Sequence, residues 1–500
     1  MAEQKPKVGL IILPSPFLCD ERVFPALGPL RVAGALHQGG VPVEVIDCSG
    51  YADYTKIVEE YCLRSDTTIF GVGCTTPQLQ SAEAIIRTIR ATKPEARIIL
   101  AGVHVTTACT SYKREKKNGQ HGRATQALNH LLSIADILIS GDGERSIFLA
   151  LEKDSPKLID ADDPASSLFL QPDELALFPF PMRELIDLSS YHYSIDGVPS
   201  TSIVAQLGCP FACGYCGARF SPSFRRMRLR PINNVLAEIE DIYHRWNIKG
   251  FFFLDDELNV NKNLLSDLIA FRRLQDRLGV EFRCRGFLKS ELLTEPQAQA
   301  LYEAGWRNVL IGFEAGDSRI LENINKKATL DDNNKAMEIC HKVGLKVKCL
   351  MSCGHPGERP ETINAIQEWL LQVEPADFDL TIIQPYFSTP YFDLATAHNS
   401  QKGIWTYTAK SGDRLYMQDV NFSDEPLYYK GIPGDYKAFV YTDHISSEEI
   451  VIMRDTVEKE VRKKLGIASY SVTPASRFEH SMGQGFPANV LRSSLQLTDT

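Results

Sequence analysis

The stretch Cys209-Pro-Phe-Ala-Cys213-Gly-Tyr-Cys216 constrains this chain more than any other. Its three cysteines stand at C-x3-C-x2-C spacing, directly after the apolar run 202–207. With twelve cysteines in 500 residues, chance placement gives such a triplet with a probability below about one per cent. Three thiolates on one short loop can hold three irons of a cubane iron–sulfur cluster, in which each iron takes one cysteine. The fourth iron then has no local ligand and is open to a small molecule, whereas a fully ligated cluster mainly carries electrons. A structural zinc site closes with four ligands, commonly two C-x2-C pairs. No second pair lies near, and the first histidine after the triplet is His244. Three unrelated buried cysteines are the other alternative.

The chain is too long for one ordinary core, so two or three domains are expected. It is 44% hydrophobic and 23% charged, as in a globular enzyme. The net charge of −9 gives no broad basic character to suggest nucleic acid. A local basic run, Arg225-Arg-Met-Arg-Leu-Arg230, reads as a solvated or anion-contacting face. No apolar run approaches the ~20 residues of a membrane helix. The N-terminus does not read as a signal peptide, and free cysteines spread over the chain point to a reducing cytoplasm.

Residues 1–155 alternate apolar runs with helical patterns. The runs 8–13, 41–47, 69–73, 96–101 and 135–140 read as strands, with helices between them. Such alternation predicts a doubly wound, Rossmann-like parallel sheet with ligands beyond the carboxyl ends of its strands. Small and polar residues stand at those ends: Pro14-Ser-Pro, Cys74-Thr-Thr-Pro77, Gly102-Val-His104 and Gly141-Asp-Gly-Glu144. They suit a large flat ligand, or are ordinary strand-to-helix loops. Residues 156–195, with Asp160-Ala-Asp-Asp-Pro164 and Phe178-Pro-Phe-Pro-Met182, read as an extended linker.

Residues 196–390 carry six strand-like runs, at 202–207, 250–254, 281–285, 308–314, 346–352 and 378–384, separated by helical segments. Six such units predict a partial (β/α)6 TIM-type barrel whose chemistry gathers at the carboxyl ends of the strands. The cysteine loop, Asp255-Asp256-Glu257 and Glu314 all fall at such ends. Residues 391–500, rich in Tyr and Phe, with Tyr428-Tyr429, Tyr436 and the run 481–487, are expected to form a C-terminal α+β extension that shapes the substrate pocket. The fold class is thus α/β with this extension.

The cysteine stretch, with Tyr215 at the aromatic place, resembles the radical S-adenosylmethionine (radical SAM) superfamily. The segments Leu36-His-Gln-Gly-Gly-Val-Pro-Val-Glu-Val-Ile-Asp47, Gly71-Val-Gly-Cys-Thr-Thr-Pro77, Leu100-Ala-Gly-Val-His-Val-Thr106 and Gly141-Asp-Gly-Glu144 resemble the cobalamin-binding domain fused ahead of many of its members. That resemblance implies Cys209, Cys213 and Cys216 as ligands of a 4Fe-4S cluster. It implies contacts to S-adenosylmethionine from Gln206, Phe211, Tyr215, Asp255, Asp256, Arg285 and Glu314. A helix N-cap is the other reading of the Asp255-Asp256 pair, and a structural ion pair that of Arg285. Gly354-His-Pro-Gly-Glu358 is similar to a family turn near the adenine. For cobalamin the resemblance implies Ser15, Thr75, Thr76, Gln78, Gly102, Val103, His104, Gly143 and Glu144. The D-x-H-x-x-G motif whose histidine ligates cobalt is absent, which implies cobalamin without that ligand and leaves open a domain without cobalamin. Cys284, Cys349 and Cys353 read as structural thiols, or as hydrogen donors to a substrate radical.

The activity so implied is a cobalamin-dependent radical SAM methyltransferase. It would act on an unactivated carbon of a small metabolite or natural product through a deoxyadenosyl radical and methylcobalamin. Its electrons would come from an external donor such as flavodoxin or ferredoxin. A cyclase or rearrangement enzyme with the same cofactors is the second reading. A non-catalytic iron–sulfur binding or electron-carrier protein is the third. The substrate itself is not legible from the sequence.

Overall fold

The computed structural model describes residues 5–15, 22, 23, 25–425, 428 and 436–467. Tyr429 and residues 481–487 lie outside this set.

The first sheet is built from short apolar runs: Val8–Ile12 (β1), Val43–Asp47 (β2), Ile69–Gly73 (β3), Arg97–Ala101 (β4) and Ile137–Gly141 (β5). Every residue of β1 is buried, as expected for a parallel strand covered on both faces. The order is β2-β1-β3-β4-β5-β6, all parallel. The last of these, β6, is Leu158–Ala161. It corrects the expectation that residues 156–195 are linker throughout, because the segment opens with a sheet strand. Four residues, Leu-Ile-Asp-Ala, are too few to show a strand period.

The helices are Leu27–Gln38 (α1), Tyr54–Arg64 (α2), Leu79–Thr92 (α3), Val103–Lys117 (α4), Arg123–Ile134 (α5) and Gly143–Leu151 (α6). Apolar residues of α1 and α6 cover one face of the sheet, those of α2 to α5 the other. The strand order reverses between β1 and β3, which opens a crevice at their carboxyl ends.

The rest of the linker is a strap tied to both halves. Met182 N–H donates to the Leu30 carbonyl of α1 (3.1 Å). Arg183 reaches the other way. Its guanidinium, 1% exposed, pairs with Glu238 (2.8 Å) and donates to the Ser202 carbonyl (2.9 Å). Arg230 pairs with the second Glu238 oxygen (2.7 Å) and donates to the Val204 carbonyl (2.6 Å). Burial alone would raise the Glu238 carboxyl, but the two guanidiniums hold it below its ordinary value.

The second sheet starts with a hairpin, Ser194–Ile195 (β7) and Val198–Ile203 (β8), turned at Asp196 (φ 49°) and Gly197 (φ 79°). Asp-Gly is the pair that tolerates two positive φ angles in a tight hairpin. Gln206–Leu207 (β9) and Arg228–Leu229 (β10) form a small antiparallel ribbon. Then follow Gly250–Phe253 (β11), Arg283–Leu288 (β12), Trp306–Glu314 (β13), Lys346–Cys353 (β14) and Asp377–Ile382 (β15). The order is β15-β14-β13-β12-β11-β8-β7: six parallel strands of an open barrel, with β7 antiparallel at the end.

Alternate residues such as Phe251, Phe253, Cys284, Ile311 and Cys349 face the helix layer. Phe252 and Leu310 face inward and pack with Tyr193 and Ile195. Because β12 runs on to Leu288, Arg285 is not at a strand end. It lies mid-strand, buried, with its guanidinium 5.6 Å from the Phe252 ring centre.

The C-terminal segment adds an antiparallel sheet of Thr396–Ala397 (β16), Ile404–Thr408 (β17), Arg414–Gln418 (β18) and Val440–Tyr441 (β19), then the helix Ser447–Leu465. This helix serves the open edge of the barrel. Arg454 and Arg462 donate to the Leu380 and Phe378 carbonyls of β15 (2.8 and 2.6 Å), and Glu458 accepts from Leu380 N–H (3.0 Å). Side chains thus satisfy the unpaired backbone of an edge strand.

Glu238→Ala would leave two arginines buried without their counter-charge. It is expected to cost about 3–5 kcal/mol of stability, read as a shift of the denaturant midpoint, whereas Glu240→Ala on the same helix's exposed face changes little.

Candidate active site

The cysteine loop lies between β9 and β10 and makes few hydrogen bonds of its own. It is held from four sides. At its start, Asp255 accepts from the N–H groups of Ala205 (2.7 Å) and Gln206 (3.1 Å), and Asp256 accepts from Gly208 N–H (2.8 Å). Along its flank, Cys209 N–H donates to Phe224 O (2.9 Å) and Arg225 to Phe211 O (3.0 Å). Beneath it, the helix Ser318–Ile324 ends at Asn325 (φ 60°). Gly214 N–H donates to the Ile324 carbonyl (2.7 Å), and the Asn325 amide to Ala212 O (2.8 Å). On the last side stands Tyr391, whose N–H donates to Gly214 O (3.1 Å) and whose ring lies where a Cβ on Gly214 would be.

Inside the barrel, Glu314 ties this loop to two strands. It accepts from the Tyr215 hydroxyl (2.6 Å), Lys326 Nζ (2.9 Å) and the Ser352 hydroxyl (2.7 Å). Burial alone would raise its carboxyl, but Lys326 and the two hydroxyls hold it below the ordinary value. The chain of bonds continues from Ser352 to His355 Nε2 (2.8 Å) and from His355 Nδ1 to the Tyr391 hydroxyl (3.3 Å). Since Ser352 donates to Glu314, Nε2 carries the proton and Nδ1 accepts from Tyr391. Burial pushes His355 down to about 3, so the imidazole is neutral. Glu314, expected to contact S-adenosylmethionine, is thus engaged by the protein itself, and so is the hydroxyl of Tyr215.

The acidic triplet divides its labour. Asp255 and Asp256 are spent on the backbone of the loop's entry. Glu257 is not: its Oε2 is buried and has no hydrogen-bond partner among the described residues. Burial raises its carboxyl to about 7, offset only in part by Lys326 and Lys289. Lys289, 1% exposed just past the end of β12, lies 4.2 Å from the centre of the Phe211 ring, donates to the Lys326 carbonyl (3.1 Å) and pairs with Glu291 (2.7 Å). Sequence reasoning named Glu257 only as the last of the acidic triplet, without a ligand role, and did not single out Lys289. The expected cation was Arg285, four residues earlier, because the strand was read as ending there.

A chamber of about 660 Å³ opens between the two sheets. From the barrel it is lined by Gln206, Gly208, Leu254 and Asp256, from the first sheet by Ser15, Thr75, Thr76, Gln78 and Val103. A slot of about 370 Å³ runs on into the first sheet between α1 and α6, lined by Gly73, Gly102, Gly143, Glu144 and apolar residues of β1, β3 and β4. Gly28 and Gly73 face open space there. Gly102 (φ 100°) has no such freedom, since a Cβ would strike the backbone of Cys74. Gln78 links the rim, donating to Ser15 Oγ (2.9 Å) and accepting from the Thr75 hydroxyl (3.0 Å).

Of the nine residues expected at cobalamin, eight line the chamber or the slot. His104 is the exception. It is buried against Phe387 and Phe422 (ring centres 5.8 and 6.3 Å away), bonds Thr76 through Nδ1 (3.0 Å), and lines a different cavity, of about 330 Å³. Burial pushes it down to about 4. It sits on α4 one position past the residue that meets the chamber, and a helix turns the two apart. Of the seven residues expected at S-adenosylmethionine, Gln206 and Asp256 line the chamber, and Phe211, Tyr215, Asp255, Arg285 and Glu314 do not.

The model of the radical SAM superfamily matches residues 203–370, which carry this loop and most of the barrel. Over those residues the chain is similar to the radical SAM superfamily. An uncharacterized methyltransferase of Pyrococcus horikoshii is 25% identical, over 78% of this chain and 83% of its own. The anaerobic magnesium-protoporphyrin IX monomethyl ester cyclase of Cereibacter sphaeroides is 23% identical over 72% of this chain, which spans only 58% of that enzyme. The structure of the radical S-adenosylmethionine methyltransferase TsrM of Kitasatospora setae, solved with tryptophan and a SAM analogue, superposes with a TM-score of 0.66 over 96% of both chains at 15% identity. That likeness shows a shared fold.

A helix of four residues, Pro390–Asp393, joins the loop to the first sheet's helices. Tyr391 abuts the loop, as above. Asp393 accepts from Ser111 (2.5 Å) and pairs with Arg114 (3.1 Å), both on α4. Arg123 of α5 stacks on Phe392 (3.7 Å to the ring centre) and donates to its carbonyl (3.0 Å). Cys284, Cys349 and Cys353 are fully buried on the helix side of the barrel sheet, away from the chamber, and burial raises each thiol well above its ordinary value. They are core thiols, not hydrogen donors to the chamber.

Gly214→Ala would press a methyl into the Tyr391 ring. It is expected to cost about 1–3 kcal/mol and to lower the iron retained per chain, and adding Tyr391→Leu should restore part of the iron. His355 makes a second prediction. An unfolded imidazole takes up a proton near 6.5, while the folded one stays neutral to about 3. Its contribution to stability is therefore complete above about 6.5 and falls as pH drops towards 3. Denaturant melts should show the deficit of His355→Gln shrinking between pH 7 and pH 5.

Proposed function

We propose that this chain is a cobalamin-dependent radical SAM methyltransferase acting on an unactivated carbon of a small molecule. One observation carries the reading: the entry of the cysteine loop and the strand ends of the first sheet line opposite walls of a single chamber. Two reactive groups held there would meet a substrate between them.

The residues fit the groups this reading needs. Cys209, Cys213 and Cys216 are free thiols on one clamped loop, the donor set of an iron–sulfur cluster with one open iron. Glu257, with its orphaned buried oxygen, would accept from the ammonium of S-adenosylmethionine, and Lys289 would face its carboxylate. Both charges lie in a dry interior, where a charge-assisted bond is strong. The glycine-lined slot suits the tail of cobalamin. Ser15, Thr75 and Gln78 offer hydrogen bonds to the polar rim of a flat ring. The described lining of neither cavity includes a histidine. Once bound, these groups supply radical generation and a methyl carrier. The protein's own part is to orient them and to keep water out with Leu207, Phe224 and Leu254.

A second reading has some support. One relative is named as a cyclase, so a ring closure or rearrangement with the same groups is the alternative. In either reading a small molecule is the substrate and an outside reductant supplies electrons. No helix among the described residues is long and apolar enough to cross a membrane. A reducing cytoplasm suits the free thiols.

Anaerobic reconstitution with iron, sulfide and hydroxocobalamin, followed by desalting, is expected to leave about four irons and one cobalt per chain. S-adenosylmethionine labelled in its methyl group should then label a product. Gly73→Leu, which fills the slot, should keep the iron and lose the cobalt. Cys213→Ala should lose the iron and all cleavage of S-adenosylmethionine. Iron without cobalt in the unmodified chain would overturn the methyltransferase reading and leave the radical SAM barrel standing.

A further inference from the structure

The C-terminal extension lines a cavity of its own. Among the described residues none after Tyr386 borders the chamber. Phe392, Met417 and the segment 418–423 instead border the cavity of about 330 Å³ that His104 lines. Arg123, Gln126, Ala127 and His130 of α5 face them, with Gln384 and Pro385 from just past β15. A cavity of this size holds a small organic molecule.

Cavity and chamber are neighbours, but among the described residues they share no lining residue. His104 lines the one and Thr76 the other, and the two side chains are hydrogen-bonded (3.0 Å). Tyr386 lines the chamber and the next residue, Phe387, the cavity. Nor does the described lining of the cavity include any residue of the cysteine loop or of the glycine-lined slot.

The charge in this cavity is concentrated on Arg123. Its guanidinium lies over the rings of Phe392 and Trp405 (3.7 and 3.9 Å to their centres) and donates to the Phe392 carbonyl (3.0 Å). Stacking on aromatic faces fixes the plane of a guanidinium and leaves its edge for a ligand. Its counter-charge is weak. Asp419 stands 3.6 Å away and is 50% exposed, too far for a good hydrogen bond. Other buried arginines are matched closely: Arg183, Arg228 and Arg462 meet carboxylates at 2.8, 2.6 and 2.8 Å. Burial pushes Arg123 down to about 10, and Asp419, Asp393 and Glu115 offset this only in part. Glu83, nearby on α3, is spent on His130 (2.8 Å) and Ser423 (2.5 Å).

The rest of the lining narrows the ligand. Leu79, Leu131, Phe387, Met417 and Phe422 are apolar, and Gln126, Gln384 and Gln418 offer neutral hydrogen bonds. The described lining holds no lysine and no second arginine, and burial keeps His104 neutral by pushing it down to about 4. One guanidinium matches one carboxylate in a two-pronged bond. A phosphate dianion would bring twice the charge against a single cation.

We propose that this cavity binds a small organic acid, with its single carboxylate on Arg123 and an apolar body against Phe387, Met417 and Phe422. The site is additional to the chamber and does not depend on what the chamber holds. An acid seated there touches α5 on one side and the extension on the other, so it ties the two together.

The test uses the full-length chain, before and after reconstitution with iron, sulfide and hydroxocobalamin. The probes are 3-phenylpropionate and its amide, titrated by ligand-observed NMR. The acid should saturate at millimolar concentration, equally in both preparations. The amide, of the same shape without the charge, should bind about tenfold more weakly or worse. Arg123→Gln should abolish the acid's advantage over the amide. Ala127→Met, which fills the cavity and leaves Arg123 in place, should weaken both probes without lowering the melting temperature, and it decides the matter even where Arg123→Gln is unstable. Equal affinity for acid and amide would overturn the proposal, as would unchanged binding in Ala127→Met or no saturation by the acid. Inorganic phosphate displacing the acid at equal concentration would overturn the monocarboxylate assignment. Binding by the reconstituted chain alone would move the acid to the chamber and overturn the separate site.

Discussion

Two buried carboxylates hold the start of the loop on which everything else depends. Asp255 and Asp256 stand at the end of β11 and bond three N–H groups of the neighbouring segment 205–208. Burial raises both, Asp255 to about 7. A carboxyl in that position is costly unless hydrogen bonds repay its lost hydration. Here the repayment is structural. The two side chains do for an irregular segment what a further strand would do for a regular one, and they fix the start of the loop that carries the three cysteines.

Behind the loop, Glu314 is bonded by Lys326, Tyr215 and Ser352 together. Removing any one of these leaves the others with a charge or lone pair deep in the barrel, where an unmatched charge costs several kcal/mol. The loop is therefore not an appendage on the barrel. Its own tyrosine is built into the barrel's polar interior, and through His355 and Tyr391 that interior reaches the segment after β15.

That segment explains how two separate sheets keep one chamber between them. Pro390–Asp393 touches the cysteine loop with one residue and α4 and α5 with the next two. A second tie uses Asp162, fully buried just past β6. It accepts from the Thr110 hydroxyl of α4 (2.8 Å) and from Ser221 (2.7 Å) and Ser223 N–H (2.8 Å) beside the loop. Arg228 and Asp142 make a third. Each tie joins a strand end of the first sheet, or a helix beside one, to the segment that carries or flanks the cysteines. The distance between the two halves of the chamber is thus set by short, charge-assisted contacts and not by a free linker.

Much of this was legible in the sequence. Apolar runs of four or five residues punctuated by glycine and proline announced the strands, because a parallel strand buried on both faces has to be apolar throughout. The cysteine spacing announced the loop, because covalent spacing along a few residues survives any fold. Tertiary structure decided the rest. Which acid of Asp255-Asp256-Glu257 is left for a ligand depends on which ones the neighbouring backbone consumes. Arg285 stands mid-strand and Lys289 just past the strand's end because the strand is three residues longer than its pattern shows. His104 turns from the chamber because successive residues on a helix point about 100° apart. In each case the deciding partner lies far away along the chain, so local pattern carries no information about it. What the sequence determined by itself was the order of elements and the identity of the cysteine loop. What only the folded chain decided was the direction of each side chain around it, since direction follows from packing.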